Sequence, residues 1–255
     1  MEMKRVIGIA MPGVVLALIF CLMAPLPYAG AQIFSKDLTM QSTTTSSGMM
    51  GRGGGTTTST NYYSKNALRT NGSDGTDTIM LFDSGKIISI DNNKKTYSEM
   101  GFAELSDMMN KATDQMGDKS EEIAAAMKMM GMESASFSIS KVGPGETIAG
   151  YDTEKYILKG MMEAEIMAAP SLKIPSDYYD AMKLRMPSNP MFDFGKLFDE
   201  MKKIDGMPLK TVINIKVMNM EMKTTTEVTS IEKGDVPASV FEIPAGYTRV
   251  EPNLN

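Results

Sequence analysis

The chain has 255 residues and a formal net charge of −5, with 42% hydrophobic residues, no His, no Trp, one Cys and 27 Met. That length suits one generous domain or two small ones, and the hydrophobic share is enough for a real core. An acidic chain without a basic tract argues against a nucleic-acid partner, and the lack of His removes Ser-His and Cys-His nucleophile pairs and the usual zinc ligand sets.

Lys4 and Arg5 precede an uncharged apolar run from Val6 to about Leu26, and Ala29-Gly30-Ala31 follows. This is the pattern of a secretory signal over residues 1–31, predicting cleavage after Ala31 and a single mature domain over residues 32–255. An uncleaved anchor is the alternative, because the run is long enough to span a bilayer; Pro12, Gly13, Pro25 and Pro27 weigh against it. Phe20 stands before Cys21 where a lipidation signal needs a small residue, so no lipid anchor is expected. The mature protein is expected in the periplasm or outside the cell, without a cysteine and therefore without a disulfide to supplement its core.

Residues 41–60 hold two Thr-rich arms around the Gly-rich stretch at residues 48–55, which predicts a flexible hairpin of two long strands joined by a mobile tip. Its tip carries Met49, Met50 and Arg52. Two readings stay open for it, a flap that meets a membrane or protein partner and a plain loop. Ala67–Thr70 adds a strand. The stretch Thr76–Met100 contains three short apolar runs, Thr78–Phe82, Lys86–Ile90 and Lys95–Met100. They are separated by Asp83-Ser84-Gly85 and Asp91-Asn92-Asn93, residues that tolerate tight turns, so an antiparallel meander is expected. Both faces of its strands are apolar, so the meander needs a cover on each side.

After Met100 the apolar period lengthens. Phe102, Leu105, Met108, Met109, Ala112 and Met116 fall on one helical face, and a second helix from Asp118 to Gly131 presents Ile123, Met127 and Met130. Strands are then expected around Ala135–Ile139, over Thr147–Leu158 and over Met161–Met167, with a turn at Gly143-Pro144-Gly145. A short helix is expected over Ser176–Leu184. Another begins at Asn189-Pro190, carries Met191, Phe194, Leu197, Phe198 and Met201 on one face, and ends at Gly206. The last section is again β: Ile213, Ile215 and Val217 share one parity while Met218, Met220, Met222 and Val228 share the other, which places a hairpin turn near Met218–Glu221. The chain closes with Val240–Pro244 and Tyr247 as a further β segment. This order predicts an α+β fold, a single strongly curved antiparallel sheet forming an incomplete β-barrel, with helices packed on its concave side.

Catalytic chemistry is sparse. The Gly-rich stretch lacks the Lys-Ser/Thr ending of a phosphate loop. Asp83 and Asp91 sit in turns, and Glu163 and Glu165 alternate along a strand, so solvation and turn chemistry explain them. A non-enzymatic protein with no cofactor is expected. Methionine is the positive signal, with three readings open. A Met-lined wall adapts to apolar ligands, and Phe102, Met108, Met109, Met127, Met130, Phe194 and Phe198 are the candidates for it. Met also serves as core filler. As a soft ligand it binds Cu(I), for which Met218, Met220 and Met222 are the candidates.

The segments TDTIMLFDSGKIISIDNNKKTYSEM, TIAGYDTEKYILKG, GMPLKTVINIKV and TTTEVTSIEKGDVPASVFEIPAGYTRV, in that order behind a signal sequence, resemble the exported bacterial family known as domain of unknown function 4412. That family resembles in turn the LolA/LolB lipoprotein-carrier superfamily. Gly150, Tyr151 and Tyr156 match its Gly-Tyr strand, and Phe241, Pro244, Gly246 and Tyr247 match its C-terminal signature. The resemblance implies a LolA-like half-barrel wrapped around helices, with an apolar cavity for a lipid, an acyl chain or a lipoprotein. A structural or regulatory envelope subunit that binds a protein partner is the alternative from another class.

Overall fold

The computed structural model describes residues 37–47, 54–64, 67–105, 107–108, 111, 137–160, 163–174, 179, 194–217 and 220–252. They form strands β1 (Leu38–Ser46), β2 (Gly55–Tyr63), β3 (Ala67–Gly72), β4 (Thr76–Leu81), β5 (Lys86–Asp91), β6 (Thr96–Gly101), β7 (Ser138–Pro144), β8 (Glu154–Lys159), β9 (Glu163–Ala169), β10 (Met207–Val217), β11 (Met220–Lys233) and β12 (Thr248–Arg249). Helix α1 (Phe194–Met201) and a 3-10 turn at Ala238–Phe241 complete the named elements, and residues 102–105, 107–108 and 111 are also helical. All twelve strands belong to one open sheet in the order β12-β6-β5-β4-β3-β2-β1-β11-β10-β9-β8-β7.

Every pairing is antiparallel except the short parallel contact of β12 with β6. A flat sheet of this many strands would be about 50 Å wide. Strand twist and register shifts curl it. Such shifts occur at Gln41/Ser42, Lys141/Gly143 and Pro208/Lys210. Pro208 has no N–H to give a ladder, and a bulge is where a buried strand tolerates it. The expected turn at Gly143-Pro144-Gly145 is not a chain reversal: the bulge falls before it, between Lys141 and Gly143, and Gly143 and Pro144 stay paired with Lys155 and Glu154.

The meander is as the alternation predicts, with β4, β5 and β6 in the register Ile79↔Ile88 and Ile90↔Tyr97. Its two faces go to different cores. Met80, Phe82 and Ile87 join the main core with Tyr63, Leu68, Leu38 and Met40. Ile79, Ile88 and Ile90 form a second, smaller cluster whose cover is Phe241, Ile243 and Tyr247 from the C-terminal segment. This corrects the expected β segment at Val240–Tyr247. Pro237 and Pro244 lack the donors a ladder needs, so the chain makes a 3-10 turn and then lies as a strap across the outer face of the meander.

The two long strands expected in the Thr-rich hairpin are present: β1 and β2 stay paired from Leu38↔Tyr63 to Ser46↔Gly55, and β1 also pairs with β11. Residues 48–53 at its tip lie outside the described residues. Thr147–Leu158 is not one strand. Ala149 (φ 48°) and Gly150 (φ 81°) occupy the left-handed region, and Ile148 and Tyr151 exchange both backbone hydrogen bonds at 2.9 Å, which makes a two-residue hairpin ahead of β8.

Candidate functional site

The main core is built by strand parity. Leu38, Met40, Tyr63, Leu68, Met80 and Phe82 from one half of the sheet share a core with Ile139, Tyr156, Leu158, Ala164, Ile166, Ile213 and Val228 from the other. The apolar stripe of α1 supplies Leu197, Phe198 and Met201 to the same core. Their spacing of three and four residues puts all three on one helical face. Other helical stretches expected over the concavity, around residues 112–131 and 180–193, lie outside the described residues.

One cross-strand row carries a change of polarity. Thr57 on β2 faces Thr44 on β1, Thr44 faces Thr226 on β11, and Thr226 faces Thr211 on β10. Thr211 faces Ile166 on β9, and Ile166 faces Tyr156 on β8. The row therefore runs through four hydroxyls and then turns apolar. The neighbouring row repeats the switch: Ser46 faces Thr224, Thr224 faces Ile213, and Ile213 faces Ala164, itself opposite Leu158. Thr57 is exposed at the hydroxyl end, while Ile166, Ala164 and Leu158 are buried at the other.

The hydroxyls largely pair among themselves. The Thr44 and Thr226 hydroxyls lie 3.0 Å apart, Ser42 and Ser59 2.8 Å apart, and the Thr70 hydroxyl donates to Asn61 Oδ1 at 2.7 Å. Asn61 Nδ2 donates in turn to the Ser42 oxygen at 3.3 Å. At the polar-to-apolar border, Leu158, Ala164, Ile166, Met201, Pro208, Thr211 and Ile213 enclose a cavity of about 20 Å³. This is room for one water-sized group. Cations on the nearby strands are matched: Lys210 reaches Glu146 at 2.6 Å and Glu227 at 2.9 Å, Lys155 reaches Glu165 at 2.7 Å, and Lys141 reaches Glu154 at 3.1 Å. Hydrogen bonds that Lys210 donates to Glu146 and then to Glu227 hold its ammonium above its ordinary pKa.

Each sheet edge carries a local cap. The Ile139 N–H, on edge strand β7, donates to Glu200 Oε2 of α1 at 2.7 Å, and Lys203 Nζ holds the other oxygen at 2.5 Å. These two hydrogen bonds, Lys203 first, keep the Glu200 carboxyl below the usual glutamate range. The opposite edge, β6, is capped by β12, with the Val250 N–H on the Tyr97 carbonyl at 2.8 Å. Capped and bulged edges disfavour strand addition by a partner.

Of the residues singled out from the sequence, Phe198 is buried in the main core and Phe102 packs half-buried against it. Met108 is helical and half-buried, and Phe194 opens α1. Met109, Met127 and Met130 lie outside the described residues. Val217 pairs with Met220, so the expected hairpin is present, and Met222 faces Ile215. Met218 lies outside the described residues, and β11 begins only at Met220. Among the described residues no group of three Asp, Glu, His or Cys side chains could hold a metal ion, and no helix is long and apolar enough to cross a membrane. Thr211 and Thr226 at the polarity border escaped sequence reasoning, which placed Met201 only on an apolar helix face; parity along β10 puts Thr211 with Ile213, but only the register shows what stands beside it.

No curated protein matches the chain. Among solved structures it is similar to PNGF-II, with a TM-score of 0.41 at 12% identity over 86% of this chain. The chain spans only 31% of that protein's length. It is also similar to a LolA superfamily protein from Nitrosomonas europaea, with a TM-score of 0.33 at 9% identity over 82% of this chain and 91% of that one. A domain assigned as an outer membrane lipoprotein-sorting protein from Vibrio parahaemolyticus gives 0.31 at 9% identity, over 81% and 89%. Likeness at this level bears on no activity. Residues 49–247 match the family described as domain of unknown function (DUF4412), and the chain belongs to that family.

Proposed function

We propose that the chain is an exported, non-enzymatic binding protein that holds the acyl part of an amphiphile on the concave face of its curled sheet. The observation that carries this reading is the row from Thr57 through Thr44, Thr226 and Thr211 to Ile166, where an exposed hydroxyl end gives way to a buried apolar end. A one-ended ligand suits such a face, with its tail over Ile166, Ala164 and Leu158 and its head towards the hydroxyls. Met and Phe side chains on the same face, among them Met40, Met80, Met201 and Phe198, can repack around tails of different length. A cavity of about 20 Å³ is far below the size of an acyl chain, so α1 and its Met201 must shift to admit one.

The experiment is native mass spectrometry of the mature protein purified from its own envelope under mild conditions, compared with a delipidated sample. A mass shift matching a lipid or an acylated peptide, recovered when lipid is added back, supports the reading and names the cargo class. A bare mass with no recovery sinks it.

A further inference from the structure

Thr211 is only 8% exposed, lines the cavity beneath Met201, and its hydroxyl has no hydrogen-bond partner among the described residues. Every fully enclosed polar side-chain atom among those residues does have a partner. The Thr211 hydroxyl is therefore not fully enclosed, and the cavity that Thr211 lines is the space beside it. A largely buried hydroxyl left without a partner costs free energy, so a polar atom from outside the chain is the natural occupant.

Charge decides what kind of polar atom. The four hydroxyls of the Thr57–Thr211 row include no cation, and Lys210, Lys155 and Lys141 on the flanking strands are each held by a carboxylate. An anion brought beside Thr211 would lose its hydration with no counter-charge to replace it, whereas a neutral hydroxyl or carbonyl oxygen needs only the one hydrogen bond that Thr211 offers. We propose that the Thr211 recess is the head-group subsite of this protein and that it selects an uncharged polar group, the hydroxyl or ester carbonyl of an acylglycerol or fatty alcohol, over a carboxylate or phosphate. This rests on the acyl-binding reading above and adds the class of head group to it.

The test is displacement of a neutral fluorescent probe, N-phenyl-1-naphthylamine, from the mature protein by monoolein, by oleate at pH 8 and by phosphatidylglycerol. Monoolein is expected to bind at least about tenfold more tightly than oleate, and Thr211→Val to weaken monoolein about three- to tenfold, the range one neutral hydrogen bond spans, while leaving oleate unchanged. Thr211→Ser, which keeps the hydroxyl, is expected to keep the preference, and thermal midpoints of both variants check that they fold. Oleate or phosphatidylglycerol binding as tightly as monoolein overturns the head-group assignment while leaving acyl binding intact. So does an unchanged monoolein-to-oleate ratio in Thr211→Val, which would mean that the recess holds a buried water only. Failure of every amphiphile to displace the probe overturns the acyl-binding reading itself, and the subsite with it.

Discussion

The Arg69 guanidinium meets the Asp77 carboxylate at 2.6 Å, with side chains 11% and 6% exposed, on the outer face of the meander. The same guanidinium donates to the carbonyls of Val240 at 2.9 Å and Glu242 at 3.2 Å, and Asn71 Oδ1 takes its Nε–H at 2.5 Å. One buried cation therefore ties β3 and β4 to the C-terminal strap, and the strap keeps Ile79, Ile88 and Ile90 dry. Tyr247 adds a second tie through its hydroxyl, which donates to Asn92 Oδ1 at 2.8 Å.

Arg69→Met should leave the Asp77 carboxylate buried without a partner and cost about 3–5 kcal/mol, read from urea unfolding. It should also speed proteolysis within residues 236–247. Arg69→Met combined with Asp77→Leu should recover much of the stability, since no charge is stranded, but not the protection of the strap, whose carbonyls remain unbound. Equal protection in both variants and the wild type would show that the strap is held by its apolar contacts alone.

Gly206 and Gly150 separate two costs of a left-handed backbone. Gly206 has φ +98°, and an added Cβ would stand 2.0 Å from the Ala169 carbonyl oxygen, backbone that cannot move aside. Gly150 has φ +81° with open space where a Cβ would go. Gly150→Ala should cost about 1–2 kcal/mol from backbone strain alone, and Gly206→Ala should exceed it by several kcal/mol or prevent folding. Similar losses in both, measured by thermal unfolding, would mean that the α1–β10 junction relaxes.

Glu200 makes the β7 edge sensitive to acid. Its carboxyl is held below its ordinary value of 4.5, so its contribution to stability is complete above that pH and is lost as the pH falls through the lower folded value. Wild-type protein should lose midpoint temperature below pH 4.5 more steeply than Glu200→Gln, which has no charge to lose. Parallel curves for the two proteins would remove Glu200 from the acid response.

Met201→Ala should widen the cavity beside Thr211 and cost about 2–5 kcal/mol, while Met201→Leu should cost less than about 1.5 kcal/mol. If α1 is the cover that a tail must displace, the Ala variant should take up N-phenyl-1-naphthylamine faster than wild type in stopped-flow measurements. An unchanged rate would place the entry route elsewhere.

The meander, the β10–β11 hairpin and the buried face of α1 were legible from residue order alone. Alternation with period two, turn residues such as Gly85 and Asn92, and the spacing of Leu197, Phe198 and Met201 are consequences of local geometry, and local geometry repeats wherever such residues occur. A single curled, mostly antiparallel sheet and DUF4412 membership also followed from short segments that keep their order. The polarity border did not. Thr44 and Thr226 are 182 positions apart, and what stands beside Thr211 depends on the order and register of β2, β1, β11, β10 and β9. The strap was misread for the same reason: Phe241, Ile243 and Tyr247 alternate well enough for a strand, but Pro237 and Pro244 deny it a ladder, and the apolar outer face of β4 and β5 offered it burial instead. Sequence determined which residues seek burial and with what period; only the tertiary structure decided which distant face receives them, because burial is a property of what lies opposite a side chain and not of its neighbours along the chain.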